Sequence, residues 1–121
     1  MPIVGQTLTI DFAVDGSGRR PAEDFLNSEE APLKDRATIL RICELLAAEG
    51  RICNREKFKK IAGEIWELKS FQVRVAAFQC GRTWFLTHGF VKKSDKWLPA
   101  QVRRAERIRA EHLARFPRNK G

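Results

Sequence analysis

Residues 64–93 read EIWELKSFQVRVAAFQCGRTWFLTHGFVKK, and residues 99–116 read PAQVRRAERIRAEHLARF. The first stretch divides into runs of alternating apolar residues, the signature of strands with one face turned to a core. In 64–69, Ile65, Glu67 and Lys69 share one face and Trp66 and Leu68 the other. In 71–79, Gln72, Arg74, Ala76 and Phe78 oppose Phe71, Val73, Val75 and Ala77. Cys80-Gly81-Arg82 predicts a hairpin turn. A strand over 83–93 follows, with Trp84, Leu86, His88, Phe90 and Lys92 expected on one face. It is apolar on both faces until Thr87, as a covered strand would be. The second stretch opens on Pro99, suited to a first helical turn. It predicts a helix whose inner stripe is Val102, Ala105, Ile108/Arg109, His112/Leu113 and Phe116.

Within these strands sit isolated cations: Lys69 and Arg74 inside the runs, and His88, Lys92 and Lys93 closing the last. A cation on a sheet face is costly to bury, so it must reach water, an acid or a polyanion. Several converging on one sheet would form a phosphate-binding surface. The charge balance points the same way. Net charge is +8 with a pI near 9.9. From residue 92 onward ten Lys and Arg face three acids, leaving +7 of that total in the last quarter of the chain. Charge this concentrated favours nucleic acid or an acidic protein as partner.

Upstream, loose alternation through Leu8, Ile10, Phe12 and Val14 predicts a strand over 7–14, ended by the turn signal Asp15-Gly16-Ser17-Gly18. A short helix is expected over 21–27, begun by Pro21. A longer one over 33–49 has apolar residues at helical spacing, with Gly50 just past its end. Residues 51–63 are basic and mixed and lead to Gly63. The order is strand, helices, three antiparallel strands, helix. That predicts an α+β fold with the helices on one side of a small antiparallel, curved sheet.

At 121 residues, 43% of them hydrophobic, the chain suits one domain with its own core, 118–121 being a frayed tail. No apolar run approaches a membrane span and MPIVGQTLTIDF lacks the basic start of a secretory signal, so the cytoplasm is expected and no membrane partner. Cys43, Cys53 and Cys80 are odd in number, and their gaps match no zinc or redox motif. With only His88 and His112 beside them, no metal site and no cofactor are expected. Cys43 falls on the apolar side of its helix and reads as core.

The ordered set EIWELK (64–69), Arg74 within QVRVAAF, and THGFVKKSDKWLP (87–99) resembles the RelE/HigB-like toxin superfamily, in particular its phage-derived HigB-like branch. PAEDFLNS (21–28) and KDRATILRICELLAAEG (34–50) sit where that family places two N-terminal helices, so the resemblance spans about residues 7–116. It implies the toxin of a type II toxin–antitoxin pair, a metal-independent endonuclease cutting mRNA, usually in the ribosomal A site. It further implies a cognate antitoxin of helix-turn-helix type, with mRNA and the ribosome as the other partners. Helices would cover the convex side of the sheet and RNA the concave side. The chain departs from the pattern in having no tyrosine; Ala77 stands where the first would be sought. Base stacking would then come from another ring, such as Phe90 or Trp97, or be absent. Two other readings stay open on the residues alone: a ParE-like gyrase poison on the same fold, and a catalytically silent phage protein that binds nucleic acid or an antitoxin.

RNA cleavage needs a base for the 2′-hydroxyl, compensation of phosphate charge and an acid for the leaving 5′-oxygen. Arg74 is the candidate for the scissile phosphate, its planar fork matching two phosphate oxygens. If it faces RNA, folding should not depend on it; the alternative is a salt bridge to Glu67 on the neighbouring strand. Lys69 is expected to steady the phosphate or act as base, or else to be a solvated strand-edge lysine. His88 is either a proton carrier or a buried structural imidazole. Lys92 and Lys93 would point to opposite faces if the strand persists, one toward the scissile site and the other toward flanking RNA. Lys96, Trp97, Arg103, Arg104 and Arg107 are expected to bind RNA along the exit from the sheet and the last helix. Trp66 and Trp84 read as core.

Overall fold

The computed structural model describes residues 2–92 and 97–117. Among them the chain forms β1 (Ile3–Val4), β2 (Thr9–Phe12), α1 (Pro21–Leu26), α2 (Leu33–Glu49), β3 (Phe58–Ala62), β4 (Ile65–Ser70), β5 (Val73–Cys80), β6 (Thr83–Val91) and α3 (Pro99–Arg115). The strands make one sheet in the order β1-β2-β6-β5-β4-β3. The class is the expected α+β one.

Three features of the sheet differ from expectation. First, β2 runs parallel to β6, from Thr9 beside Thr83 to Phe12 beside Leu86, so the sheet is mixed. No hairpin joins these two strands; the chain between them builds both helices and three more strands, a crossover long enough to return in the same direction. Second, the basic stretch before Gly63 contains a strand, β3, antiparallel to β4. Its lysines sit comfortably because β3 is an edge strand, where charge reaches water and blunts the open backbone. Phe58 anchors it, stacking on Trp66 at 4.9 Å and meeting Trp84 edge-on at 5.2 Å.

Third, helices cover both faces. On one side α1 (Ala22, Phe25, Leu26) and α2 (Ile39, Ile42, Cys43, Leu46) pack on Leu68, Val73, Val75, Ala77, Trp84 and Leu86. A buried hydrogen bond from Ser70 Oγ to Asp35 Oδ1, 2.8 Å, ties α2 to β4. On the other side Ala105 and Ile108 of α3 pack on Ile65, Ala76 and Phe78. His112 Nδ1 accepts the Val14 backbone N–H at 3.0 Å and joins α3 to the chain beyond β2. The expected one-sided arrangement fails because β5 is buried on both faces from Val73 to Phe78. One helical layer would leave half of those side chains in water.

α2 ends where Gly50 takes φ +85 and donates its N–H to Leu46 O at 2.8 Å. α3 starts on Pro99. No helix among the described residues is long and apolar enough to cross a membrane.

A bulge in β6 decides which side chains reach α3. Ala77 pairs with Leu86 and Ala76 with His88, so Thr87 is an extra residue. Its hydroxyl lies 3.3 Å from the Ala76 carbonyl, which it can satisfy as donor. Trp84 and Leu86 therefore face α1 and α2, whereas His88 and Phe90 face α3. The shared face expected for residues 84 to 92 is split in two. Gly89 lands on the α1 side, where a Cβ would stand 2.3 Å from Phe25 Cδ2. Gly89→Ala is expected to force α1 off the sheet and destabilise the fold by about 1–3 kcal/mol, the usual range for overpacking a core. Urea unfolding of the two proteins measures this; equal midpoints would mean that Phe25 yields freely.

Candidate functional site

Two successive rungs of β4, β5 and β6 build a polar cluster on the α3 face. One rung aligns Lys69 with Arg74 and Arg74 with Phe90. The next aligns Glu67 with Ala76 and Ala76 with His88. Glu67 is 2% exposed, Arg74 3% and His88 0%, so two charges are held inside. Buried charges persist only when paired and hydrogen-bonded. Arg74 Nε lies 3.7 Å from Glu67 Oε1. The same oxygen accepts the Trp97 indole N–H at 2.5 Å. The far end of the guanidinium donates from Nη1 to the Phe71 carbonyl at 2.6 Å and reaches the Val73 carbonyl at 3.3 Å. Of the two expectations for Arg74, the ion pair is the one formed.

That geometry corrects the expectation that folding is indifferent to Arg74. Arg74→Ala would leave the Glu67 carboxylate buried without its cation and the Phe71 carbonyl without its donor. The expected loss is about 3–5 kcal/mol, the range for removing one partner of a buried pair. Replacing both partners by leucine should recover part of it, because no charge then stays behind. Denaturant unfolding of the single and double variants checks this; an additive loss would show that the pair carries no coupling.

His88 Nε2 lies 2.9 Å from Gln101 Oε1 on α3, and Nδ1 3.3 Å from Thr87 Oγ1. With the Gln101 oxygen accepting, the ring proton belongs on Nε2. Burial drives its pKa down from 6.5 to about 4; the Gln101 bond opposes this and the nearby Arg104 and Arg107 charges add to it. The imidazole is therefore neutral at physiological pH. Unfolded chain takes up this proton near pH 6.5, folded chain only near 4, so stability is present above that window and lost as pH falls through it. The expected loss is roughly 3 kcal/mol, from the size of the shift. His112, whose pKa burial also lowers, adds in the same direction. Urea unfolding across the window, for wild type and His88→Asn, should show a shallower pH slope in the variant. Identical slopes would remove His88 as the source.

The remaining candidates spread outward. Lys69 Nζ lies 3.7 Å from Glu56 Oε1 and its side chain is about four-fifths covered, so it is no solvated edge residue. Lys92 follows β6, which ends at Val91, and its N–H donates to Gln72 O at 2.8 Å. The strand does not persist as the alternating-face expectation for Lys92 and Lys93 requires; Lys93 and Lys96 lie outside the described residues. Phe90 stacks on His88 (5.6 Å, 18°) and meets Trp97 edge-on at 4.8 Å, so the two rings expected to stack on bases engage each other. Arg103 and Arg104 are exposed on α3, and Arg107 pairs with Glu111 at 3.1 Å. Ala77 is buried against α1 and α2, so a tyrosine there would enter the core rather than the site. Cys43 is core, its thiol pushed up to about 12 by burial.

Two participants escaped the sequence reading as site members. Glu67 was seen only as a partner for Arg74, although its place between Ile65 and Lys69 on one strand face was a signal for a carboxylate at the cluster's centre. Gln101 carried no signal, since its contact with His88 depends on where α3 crosses the sheet.

These features define a small α+β protein: among the described residues, a curved six-stranded sheet with three helices, a buried ion pair between two strands and a cationic last helix. The chain belongs to the family of phage-derived Gp49-like proteins, whose model matches residues 27–110, and that family is RelE-like. The match runs from just after α1 into α3 and includes the whole cluster. No curated protein matches the chain.

Proposed function

We propose that the chain is the toxin of a type II toxin–antitoxin pair, of the HigB-like branch, and that it cleaves mRNA on the ribosome as a metal-independent endonuclease. The observation that carries this reading is the Lys69–Arg74 rung beside Glu67 and His88, in a chain of a RelE-like family. Arg74 and Lys69 compensate charge on the scissile phosphate, and Lys92 adds a third cation from the end of β6. Neutral His88 and the Glu67 carboxylate are the groups on this face suited to accept the 2′-hydroxyl proton as the 2′-oxygen bonds to phosphorus, and the group that takes it then holds a proton for the 5′-oxygen that leaves. Arg103, Arg104 and Arg107, with Lys93 and Lys96, grip flanking RNA. A helix-turn-helix antitoxin holds the toxin inactive. The burial of Arg74 is the observation that favours a second reading, a catalytically silent protein that binds nucleic acid or an antitoxin.

Induction of the chain alone in bacteria is expected to arrest growth and deplete intact mRNA, and co-expression of the antitoxin to restore growth. Trapped gyrase–DNA complexes with mRNA intact would instead assign a ParE-like gyrase poison, and absence of arrest the silent reading. Replacing Arg103, Arg104 and Arg107 together with Gln should weaken ribosome association and flatten its salt dependence by about one logarithmic unit per lost phosphate contact. An unchanged slope would place these arginines outside the RNA contact.

A further inference from the structure

Phe71 breaks two rules at once. It stands at the tip of the β4–β5 hairpin with φ +53, a left-handed conformation that a bulky residue adopts only under constraint and that a tight hairpin normally gives to glycine. It is also 77% exposed, the most exposed of the chain's large apolar side chains among the described residues. Neither the core nor the turn asks for a phenylalanine here. Glycine would relieve the backbone, and any polar residue would suit the water. Strain of this kind survives only where the surroundings over-determine it, and it concentrates at binding sites.

The surroundings are the proposed site itself. The Phe71 carbonyl is the one that Arg74 Nη1 holds at 2.6 Å, so the guanidinium that anchors the cluster also sets the turn. Ser70 and Val73 close the hairpin, Lys69 and Arg74 form the next rung, and Lys92 donates its N–H to Gln72, the other residue of the turn. A solvent-exposed aromatic residue, its backbone held by the guanidinium, thus stands one rung from the Lys69–Arg74 pair. A phosphate on cations with its neighbouring base on an aromatic face is how single-stranded RNA is held. The chain has no tyrosine, and Phe90 and Trp97 are turned to each other.

We propose that the Phe71 ring is the stacking platform for a nucleobase of the RNA whose phosphate lies at the Lys69–Arg74 rung. This deepens the endonuclease reading and rests on it. The ring sets the position of the strand and leaves the reaction to the cluster behind it.

The test is single-turnover cleavage on programmed ribosomes by the full chain, its Phe71→Gly, Phe71→Leu and Phe71→Trp variants, and thermal melts of all four. The mRNA is used intact and with an abasic nucleotide placed at each position around the cleavage point. Phe71→Gly and Phe71→Leu should lose about 5- to 150-fold in apparent affinity, the fold-change expected for one base–aromatic stack, while Phe71→Trp retains it. Phe71→Gly should melt at or above wild type because glycine accepts the backbone. At one mRNA position, removal of the base should harm wild type and leave Phe71→Gly no worse. Wild-type affinity in Phe71→Gly or Phe71→Leu would overturn the stacking role and leave the endonuclease standing. A Phe71→Gly melt far below wild type would overturn it as well, by showing that the ring holds the fold. If wild type cuts no RNA, the endonuclease reading falls and the platform with it.

Discussion

The bulge at Thr87 is the constraint on which the rest depends. One extra residue in β6 moves every later side chain of that strand to the opposite face. Without it, His88 and Phe90 would press into the helices α1 and α2, and Gly89 would face α3. With it, the glycine meets Phe25 and lets α1 lie close, while the imidazole and the ring complete the polar cluster beneath α3. A single shift in register thus seats a helix on one face and assembles a site on the other.

The cluster itself is built in a way that favours restraint over display. An arginine intended only to meet phosphate would stand in water. Here Arg74 is sealed against Glu67, under Trp97, with Nη1 on two backbone carbonyls. A buried pair of this kind contributes little net stability compared with a packed apolar core, yet losing either member is costly. In the proposed function an incoming phosphate would exchange one anion for another on the same guanidinium. The carboxylate released by that exchange would stand beside the scissile bond, where a proton acceptor is needed.

Much of this was legible in the sequence, and the failures have physical causes. Alternation put Glu67 with Lys69 on one face of EIWELK and Arg74 with Ala76 and Phe78 on one face of QVRVAAF, because side-chain direction in an unbroken strand is fixed by period two; the register of β4 on β5 then joins the two sets. The same rule misplaced Trp84 and Leu86 relative to His88, because a bulge changes backbone count without changing composition. β3 was hidden by its lysines, which mark a loop and an edge strand equally well. Gly50 and Pro99 marked helix ends through their backbone preferences, and the structure has its helix boundaries at both. The parallel pairing of β2, and the second helical layer, depend on contacts between distant segments that no local pattern encodes. Phe71 was expected on the apolar face of a strand over 71–79; β5 starts at Val73, and no apolar pattern encodes the φ angle that puts Phe71 in the turn.

The pairing of β2 with β6 also sets a timetable. Thr9 finds its partner in Thr83, and Ile10 its partner in Trp84, so the N-terminal strand has nothing to join until almost the whole sheet has been made. Contacts this distant in sequence form late and slowly, after the local helices and the β3–β6 meander. During synthesis the N-terminal segment therefore waits with its apolar residues unprotected until β6 has emerged, and α3, which locks onto Val14 through His112, follows later still.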